Sequence, residues 1–353
     1  MRRKQLFAVL MAGSMAASLA ACGKTDTKKT TAATEKKTEA ATEKKTEVAT
    51  TEAKTEKATE KETEAATEKE TEAATEAKTE EASSEAASKE TEAKADENAK
   101  VRVIDIDLTS EQYAFGVDKD QPELLEQVNA FIAKIQEDGT FDAICDKYFS
   151  DGEPAAVESA EYDASKDQLV VATNASFEPF EYVDGDSYKG IDMEIAALFA
   201  QELGKELVIE NMDFDAVCLS VGQHKCDIAM AGLTINEERE EYVTFSDPYY
   251  KASQRLVTLA DDTAFDDCKD AASVEEVLKG LSASDKIGGQ QGTTAQYFVE
   301  GSDDWGFEGL PAEWVPYKSA SLAVQDMING NVKYVIIDAA PAESITKAIN
   351  AMQ

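Results

Sequence analysis

The chain has 353 residues, and its 71 acidic against 35 basic residues give a formal net charge of −36 at pH 7. So acidic a protein is not expected to bind nucleic acid, or anionic lipid by electrostatic attraction. His224 is the single histidine, which excludes a Ser–His or Cys–His catalytic pair unless His224 itself takes part. Its Gly-Gln-His-Lys setting predicts a solvated turn, and with Cys218 and Cys226 it lacks a fourth ligand for zinc, so we expect neither a metal nor a cofactor.

The first residues have the organisation of an export signal. Basic residues at 2–4 precede a short apolar run over 6–21, which is typical of a signal peptide and not of a spanning helix. The run ends in Leu-Ala-Ala-Cys and resembles a lipoprotein signal, in which Cys22 is diacylated and becomes the new N-terminus. A plain signal peptide that precedes a cysteine is the alternative. The resemblance implies a lipid-anchored protein on the outer face of the cytoplasmic membrane.

Residues 23–100 form a low-complexity segment. Between 24 and 99 the chain contains almost only Thr, Glu, Lys, Ala and Ser, and it has no aromatic residue. Such a composition cannot bury enough apolar surface to fold, so we expect a disordered tether. A single long charged helix is the alternative, although like charges repeated every four residues oppose it.

Residues 101–149 carry the first folded elements. Strands are predicted over 101–106 and 113–117, followed by a helix over 122–137 and a shorter apolar segment over 144–149.

From residue 167 onward the pattern is that of an α/β protein. Strands alternate with amphipathic helices, which favours mostly parallel sheets. The predicted strands cover 168–173, 206–212, 226–232, 255–259, 286–289, 314–317 and 334–337. The predicted helices cover 191–203, 214–221, 274–278, 322–328 and 342–351, and a further helix starts at Thr293.

Two adjacent motifs indicate ligand binding. A Gly-Leu-Thr-Ile-Asn-Glu-Glu-Arg block spans 232–239, and Phe-Ser-Asp-Pro-Tyr-Tyr follows at 245–250. A backbone N–H of the Gly, a Thr hydroxyl and the Arg fork can converge on one carboxylate. With its flanks over 167–260, the block resembles the amino-acid-binding, family 3 solute receptors of ABC importers. The resemblance implies a two-lobed, periplasmic-binding-protein-like α/β fold of the type II, Venus-flytrap kind.

The order of the elements differs from the order in that family. Residues 101–149 resemble the family's C-terminal end, yet here they come first. A circular permutation explains this order, with 150–166 joining the ancestral termini. Lobe one then covers about 115–250, and lobe two covers about 251–353 plus 101–107. A strand-exchanged dimer and the remnant of a fused tandem receptor are the alternatives.

The resemblance also implies which residues hold the carboxylate of a free amino acid. Arg239, Thr234 and the backbone of Gly232 take this role in lobe one. Lobe two offers Thr293 and Thr294, which follow a glycine and precede a predicted helix whose backbone N–H groups can face an anion.

The ammonium and the side chain are assigned in the same way. Asp338 ends a predicted apolar strand, the edge where ligands bind in open α/β sheets, although capping of the next helix is the alternative. The wall around the ligand side chain is formed by Phe177, Phe214, Asn174, Gln290 and Ile337, whereas Phe180 is expected in the core. None of the wall residues is charged, which favours a polar, uncharged amino acid.

We therefore expect a receptor without enzymatic activity that captures a free amino acid and delivers it to an ABC permease. A ligand-sensing lipoprotein that does not serve transport is one alternative. A dehydratase of cyclic acids on the same fold is another. Buried free thiols are expected at Cys145, Cys218 and Cys226, and Cys218 with Cys226 is the one pair to test as a disulfide.

Overall fold

A computed structural model describes residues 99–150 and 152–352. The predictions for the export signal, for Cys22 and for the tether up to residue 98 lie outside the described residues. Within the described ranges, no helix is both long and apolar enough to cross a membrane.

The described residues alternate between short strands and helices. The strands are β1 (Val101–Ile104), β2 (Glu111–Tyr113), β3 (Gly116–Asp118), β4 (Gln168–Thr173), β5 (Ser176–Phe177), β6 (Glu181–Asp184), β7 (Ser187–Lys189), β8 (Glu206–Asn211), β9 (Ile228–Ala229), β10 (Val243–Phe245), β11 (Tyr250–Ala252), β12 (Gln254–Leu259), β13 (Lys286–Gln290), β14 (Glu313–Tyr317) and β15 (Tyr334–Asp338). The helices are α1 (Pro122–Glu137), α2 (Thr140–Phe149), α3 (Ile191–Leu203), α4 (Phe214–Gly222), α5 (Glu237–Glu240), α6 (Ala271–Lys279), α7 (Thr294–Glu300), α8 (Ala320–Ile328) and α9 (Ala339–Ala351).

Lobe one is built on a five-stranded sheet in the order β10-β3-β9-β4-β8. Every residue of β4 is buried, because α3 and α4 cover its two faces with apolar side chains. Helix α1 presents Leu124, Val128, Phe131 and Ile135 to the core at helical spacing, and it packs beside α2. The helix over 122–137 thus belongs to lobe one although it comes early in the chain.

Lobe two is built on a second five-stranded sheet in the order β1-β12-β15-β13-β14. The first strand of the described chain pairs antiparallel with β12, and Val101 lies opposite Leu259. All five residues of β15 are buried at the centre of this sheet, and its last residue is Asp338. Residues 101–104 therefore complete the lobe whose other strands come from 254–338.

Two crossing strands join the lobes. Strand β2 pairs antiparallel with β11, and Tyr113 lies opposite Tyr250. The Tyr113 ring is fully buried and packs edge-on against Phe180 with 5.1 Å between the ring centroids. Two connections side by side at one place restrict the lobes to motion about this junction.

The segment between α2 and β4 lies along lobe one. Val157 exchanges two backbone hydrogen bonds with Tyr188 on β7, and the Ala160 N–H donates to the Leu207 carbonyl on β8. The Ser159 hydroxyl accepts from the Ile209 N–H at 2.8 Å. The linker therefore covers the edge of the lobe-one sheet instead of looping away from it.

Several predictions differ from the structure. The strand expected over 113–117 is two short strands, Glu111–Tyr113 and Gly116–Asp118. Each five-stranded sheet has two parallel and two antiparallel strand pairs, whereas mostly parallel sheets were predicted. The strand expected over 226–232 is only Ile228–Ala229, because the chain then leaves the sheet and reaches Gly232 with a positive φ of 52°. The segment expected over 144–149 begins earlier, at Thr140, since Gly139 in a left-handed conformation starts the helix. The small sheet β5-β6-β7 has no counterpart in the prediction.

Candidate functional site

The residues that the sequence assigned to a ligand come together between the lobes. A small cavity of about 10 Å³ is lined from lobe one by Phe177, Phe214, Gly232, Thr234 and Arg239, and from lobe two by Gln290, Thr293, Thr294 and Asp338. Asn174 lies next to this cavity, and its side-chain oxygen accepts from the Gln290 amide at 2.8 Å. Ile337 differs from the expectation, because it packs in the hydrophobic core and does not line the cavity.

Arg239 provides the positive charge of the cavity. Helix α5 holds its backbone, because the Asn236 side chain caps the helix by accepting from the Arg239 N–H. The guanidinium donates to the Thr234 carbonyl at 2.6 Å and to the Gly292 carbonyl at 3.0 Å. It also lies 5.1 Å from the centre of the Phe214 ring. Five N–H groups are available on a guanidinium, so donors remain for an anion in the cavity.

Asp338 provides a negative charge on the lobe-two side. Its carboxylate is buried and accepts from the Tyr113 hydroxyl at 2.5 Å. Burial and the negative charge of Glu111 raise the pKa of Asp338 to about 7. A buried carboxylate in this environment is stabilised by a cation that enters the cavity.

Gly232 has its conformation for a steric reason. A side chain at this position would place a Cβ atom 2.9 Å from the Phe177 ring, and φ is positive. The Gly232 N–H donates to the Asp192 carboxylate at 2.9 Å, and the Tyr249 hydroxyl donates to the same carboxylate at 2.6 Å. Burial raises the pKa of Asp192 to about 7. Asp192 therefore holds Gly232 in place, and the Gly232 N–H, which the sequence assigned to the ligand carboxylate, is instead engaged inside the protein.

The cavity hydroxyls make internal hydrogen bonds. Thr234 and Thr294 both donate to the Glu111 carboxylate, at 2.7 and 2.8 Å. Thr293 donates to the Gln290 carbonyl at 2.7 Å. Glu111 could not be recognised from the sequence, because its partners are 123 and 183 residues away along the chain.

A second buried acid was also missed. Glu181 is fully buried, and neither of its carboxylate oxygens has a hydrogen-bond partner among the described residues. Burial, with the negative charges of Asp192 and Asp338, raises the pKa of Glu181 far above its usual range. No local sequence pattern distinguishes Glu181 from a surface acid, so only the folded arrangement reveals it.

The expected wall residues differ in their surroundings. Asn174 is held by a hydrogen bond from its amide to the Met212 carbonyl at 2.6 Å. Phe177 lines the cavity and stacks on Phe180 with 6.0 Å between centroids. Phe180 itself is fully buried, as expected for a core residue. This part of the cavity is thus aromatic with two amide groups.

The histidine and the cysteines lie elsewhere. His224 is 58% exposed, and its Nδ1 atom lies 2.7 Å from the Asp118 carboxylate, which raises the pKa of His224. Cys218 and Cys226 are buried free thiols, and burial raises the pKa of both. Cys145 is also a free thiol but is only partly buried.

Comparison with known proteins gives a family match. Residues 1–151 and 169–340 match the family described as bacterial extracellular solute-binding proteins, family 3. The arginine-binding extracellular protein ArtP of Bacillus subtilis is 31% identical over 146 residues, covering 41% of this chain and 53% of ArtP. The cyclohexadienyl dehydratase of Pseudomonas aeruginosa is 33% identical over 97 residues, covering 27% of this chain and 36% of the enzyme.

The match to individual proteins is partial in length. This chain spans about half the length of ArtP and about a third of the dehydratase. Among solved structures, an arginine-bound, truncated ArgBP from T. maritima is 30% identical, with a TM-score of 0.43. That comparison covers 51% of this chain and 78% of the ArgBP chain.

Proposed function

The chain belongs to the bacterial extracellular solute-binding proteins of family 3, and we propose that it captures a free amino acid between its two lobes. The arrangement that supports this proposal is the pair of opposite charges across one cavity, with Arg239 on one side and Asp338 on the other. A free amino acid carries a carboxylate and an ammonium on one carbon atom. The carboxylate can pair with Arg239 and the ammonium with Asp338. No bond needs to form or break for capture.

The charged pair also explains why capture is coupled to closure. The Arg239 guanidinium donates to a carbonyl of lobe one and to a carbonyl of lobe two. Asp338 comes from lobe two, and Thr234 comes from lobe one. A ligand held by all of these groups stabilises the closed arrangement, because opening removes half of its contacts.

We propose that the ligand is polar and uncharged in its side chain. Asn174 and Gln290 form the polar part of the wall, and Phe177 and Phe214 form the apolar part. The name of ArtP offers arginine as a competing ligand, whose flat guanidinium suits two aromatic rings. A thermal-shift screen of the twenty amino acids tests both. Stabilisation by none of them contradicts the proposed function, and stabilisation by arginine alone contradicts the uncharged ligand.

We further propose that the receptor is lipid-anchored and delivers its ligand to an ABC permease. The Leu-Ala-Ala-Cys sequence before the tether supports the anchor at Cys22. Two acyl chains suffice for stable membrane residence. A Cys22→Ser variant should appear in soluble fractions, whereas a Cys145→Ser control should remain with membranes. A Cys22→Ser protein that stays wholly in the membrane fraction contradicts the anchor.

We propose that the chain order arose by circular permutation. Three observations support this: strand β1 completes the lobe-two sheet, α1 packs in lobe one, and the 152–166 segment follows the surface of lobe one. The strand-exchanged dimer predicts the same pairings between two chains. Sedimentation of the purified protein separates the two, because exchange requires a stable dimer.

A dehydratase activity is the second candidate, and one observation favours it. Asp338 has a pKa of about 7, which gives a carboxyl group able to donate a proton near neutral pH. The relative from Pseudomonas aeruginosa is a dehydratase. Incubation of the purified protein with prephenate, followed by measurement of phenylpyruvate, tests this candidate. Turnover abolished by Asp338→Asn would favour it over binding alone.

A further inference from the structure

Three hydroxyl groups line the cavity, and the single proton of each is engaged inside the protein. Thr234 and Thr294 donate to one oxygen of Glu111, at 2.7 and 2.8 Å. Thr293 donates to the Gln290 carbonyl at 2.7 Å. A hydroxyl has one donor and two acceptor sites. Each of these hydroxyls can therefore offer lone pairs to a ligand but no proton.

Glu111 is well placed to fix this orientation. Its side chain is buried on β2, and its second oxygen accepts from the Thr109 hydroxyl at 2.5 Å and from the Gln254 amide at 3.1 Å. Four donors thus converge on the two oxygens of one carboxylate. Each oxygen accepts two of these hydrogen bonds, so the carboxylate determines the direction of every hydroxyl that faces it.

The position of Glu111 also ties this orientation to closure. Thr234 belongs to lobe one, Thr294 belongs to lobe two, and Glu111 lies on a strand that crosses between them. One carboxylate oxygen meets both hydroxyls only when the lobes are together. The polar pattern of the cavity is therefore completed by closure itself.

We propose that Glu111 is a positioning residue that presents Thr234 and Thr294 to the ligand as acceptors, and so directs the ammonium of an amino acid toward them. This inference rests on the proposed function and refines it. The ammonium then contacts Asp338 and two hydroxyl oxygens. The carboxylate is left to Arg239, and not to the Thr234 hydroxyl as predicted from the sequence.

The isosteric variant Glu111→Gln should reverse the direction of the hydrogen bonds that Thr234 and Thr294 make with residue 111. The amide of glutamine has two N–H donors, and these can donate to the Thr234 and Thr294 oxygens. Both hydroxyl protons then turn into the cavity, where they oppose an ammonium and favour a carboxylate. Thr234→Val and Thr294→Val remove the acceptors without changing the crossing strand. Thr109→Val is the matched control, because Thr109 contacts the other oxygen of Glu111 and does not line the cavity.

The test compares amino acids with the same acids lacking the α-ammonium. The probe pairs are L-glutamine with 4-carbamoylbutanoate and L-arginine with 5-guanidinopentanoate, measured by calorimetry on folded variants. We expect the preference of the wild type for the amino acid over its partner to fall at least tenfold in Glu111→Gln and in each valine variant. In Thr109→Val this preference should stay within threefold of the wild-type value.

The outcomes separate this inference from the proposed function. If Glu111→Gln and the valine variants weaken both members of a pair equally, Glu111 has only a structural role and the inference is overturned. The same holds if the preference is unchanged in all three. A wild type that binds no amino acid overturns the proposed function itself. If Glu111→Gln fails to fold, the two valine variants decide, because both leave the hinge carboxylate in place.

Discussion

Replacing Arg239 with alanine should weaken amino-acid binding more than any single change on the surface. The change removes a cation from a cavity in which the side chain is only 8% exposed, and it leaves the ligand carboxylate without its charged partner. Loss of one partner of a buried, hydrogen-bonded charge pair costs about 2–5 kcal/mol. That range corresponds to a roughly 30-fold to several-thousand-fold rise in Kd.

The structure adds two contributions to that cost. The Thr234 and Gly292 carbonyls both lose a donor from the guanidinium, and a buried carbonyl without a donor is itself unfavourable. The contact with the Phe214 ring at 5.1 Å is lost as well. Because the two carbonyls belong to different lobes, the variant should also favour the open arrangement. We therefore expect a loss of binding free energy in the upper half of this range for Arg239→Ala. The loss should be smaller for Arg239→Lys, which keeps the charge but not the two parallel N–H donors of the guanidinium.

Calorimetry with the tightest-binding amino acid of a thermal-shift screen measures this loss. Asp338→Ala should lose a comparable amount through the ammonium. His224→Ala is the control, because His224 is 58% exposed and is not among the residues that line the cavity. An Arg239→Ala protein that binds as tightly as the wild type refutes the assignment of the cavity.

Since the pKa of Asp338 is about 7 in the empty cavity and an ammonium requires the ionised form, Kd measured by calorimetry should rise about tenfold between pH 8 and pH 6; a constant Kd contradicts this. The pKa of Asp192 is 3.8 in the unfolded chain and about 7 in the folded protein, so its protonated carboxyl adds to the free energy of unfolding in full below pH 3.8. This contribution is lost as the pH rises through about 7. The free energy of unfolding, measured by urea titration from pH 4 to 8, should therefore fall less steeply with rising pH in Asp192→Asn than in the wild type. An equal slope in the two proteins contradicts this role of Asp192. Protease cleavage within 152–166 should leave two fragments that co-purify and still bind the amino acid, and fragments that separate without denaturant contradict the proposed topology.

The elements with a strong periodic pattern were predictable residue by residue. The helices over 122–137 and 191–203 begin and end where the sequence analysis placed them, and so does the strand over 168–173. Each has a clear local boundary, such as Pro122 at the start of α1 or Gly204 after α3. Local rules are sufficient where one segment contains both its apolar face and its ends.

Short elements and isolated acids were not predictable for the opposite reason. The sheet formed by β5, β6 and β7 contains strands of two to four residues, too short for a periodic signal. Glu181 begins one of these strands and resembles a surface acid in sequence, yet it is fully buried. Glu111 is separated from both of its cavity partners by more than a hundred residues. The fold alone determines such contacts.

The arrangement of the cavity explains why chain order matters little to the site. Each lining residue is held by an element of its own lobe: Arg239 by a short helix of lobe one, and Asp338 by the end of a central strand of lobe two. The two lobes meet through two antiparallel crossing strands, whichever of the two comes first in the chain. Moving the termini therefore leaves the lining intact, provided that the crossing strand with Glu111 remains paired. On this strand the Glu111 side chain accepts hydrogen bonds from both lobes, and a permuted chain must preserve the strand for the cavity to keep its acceptors.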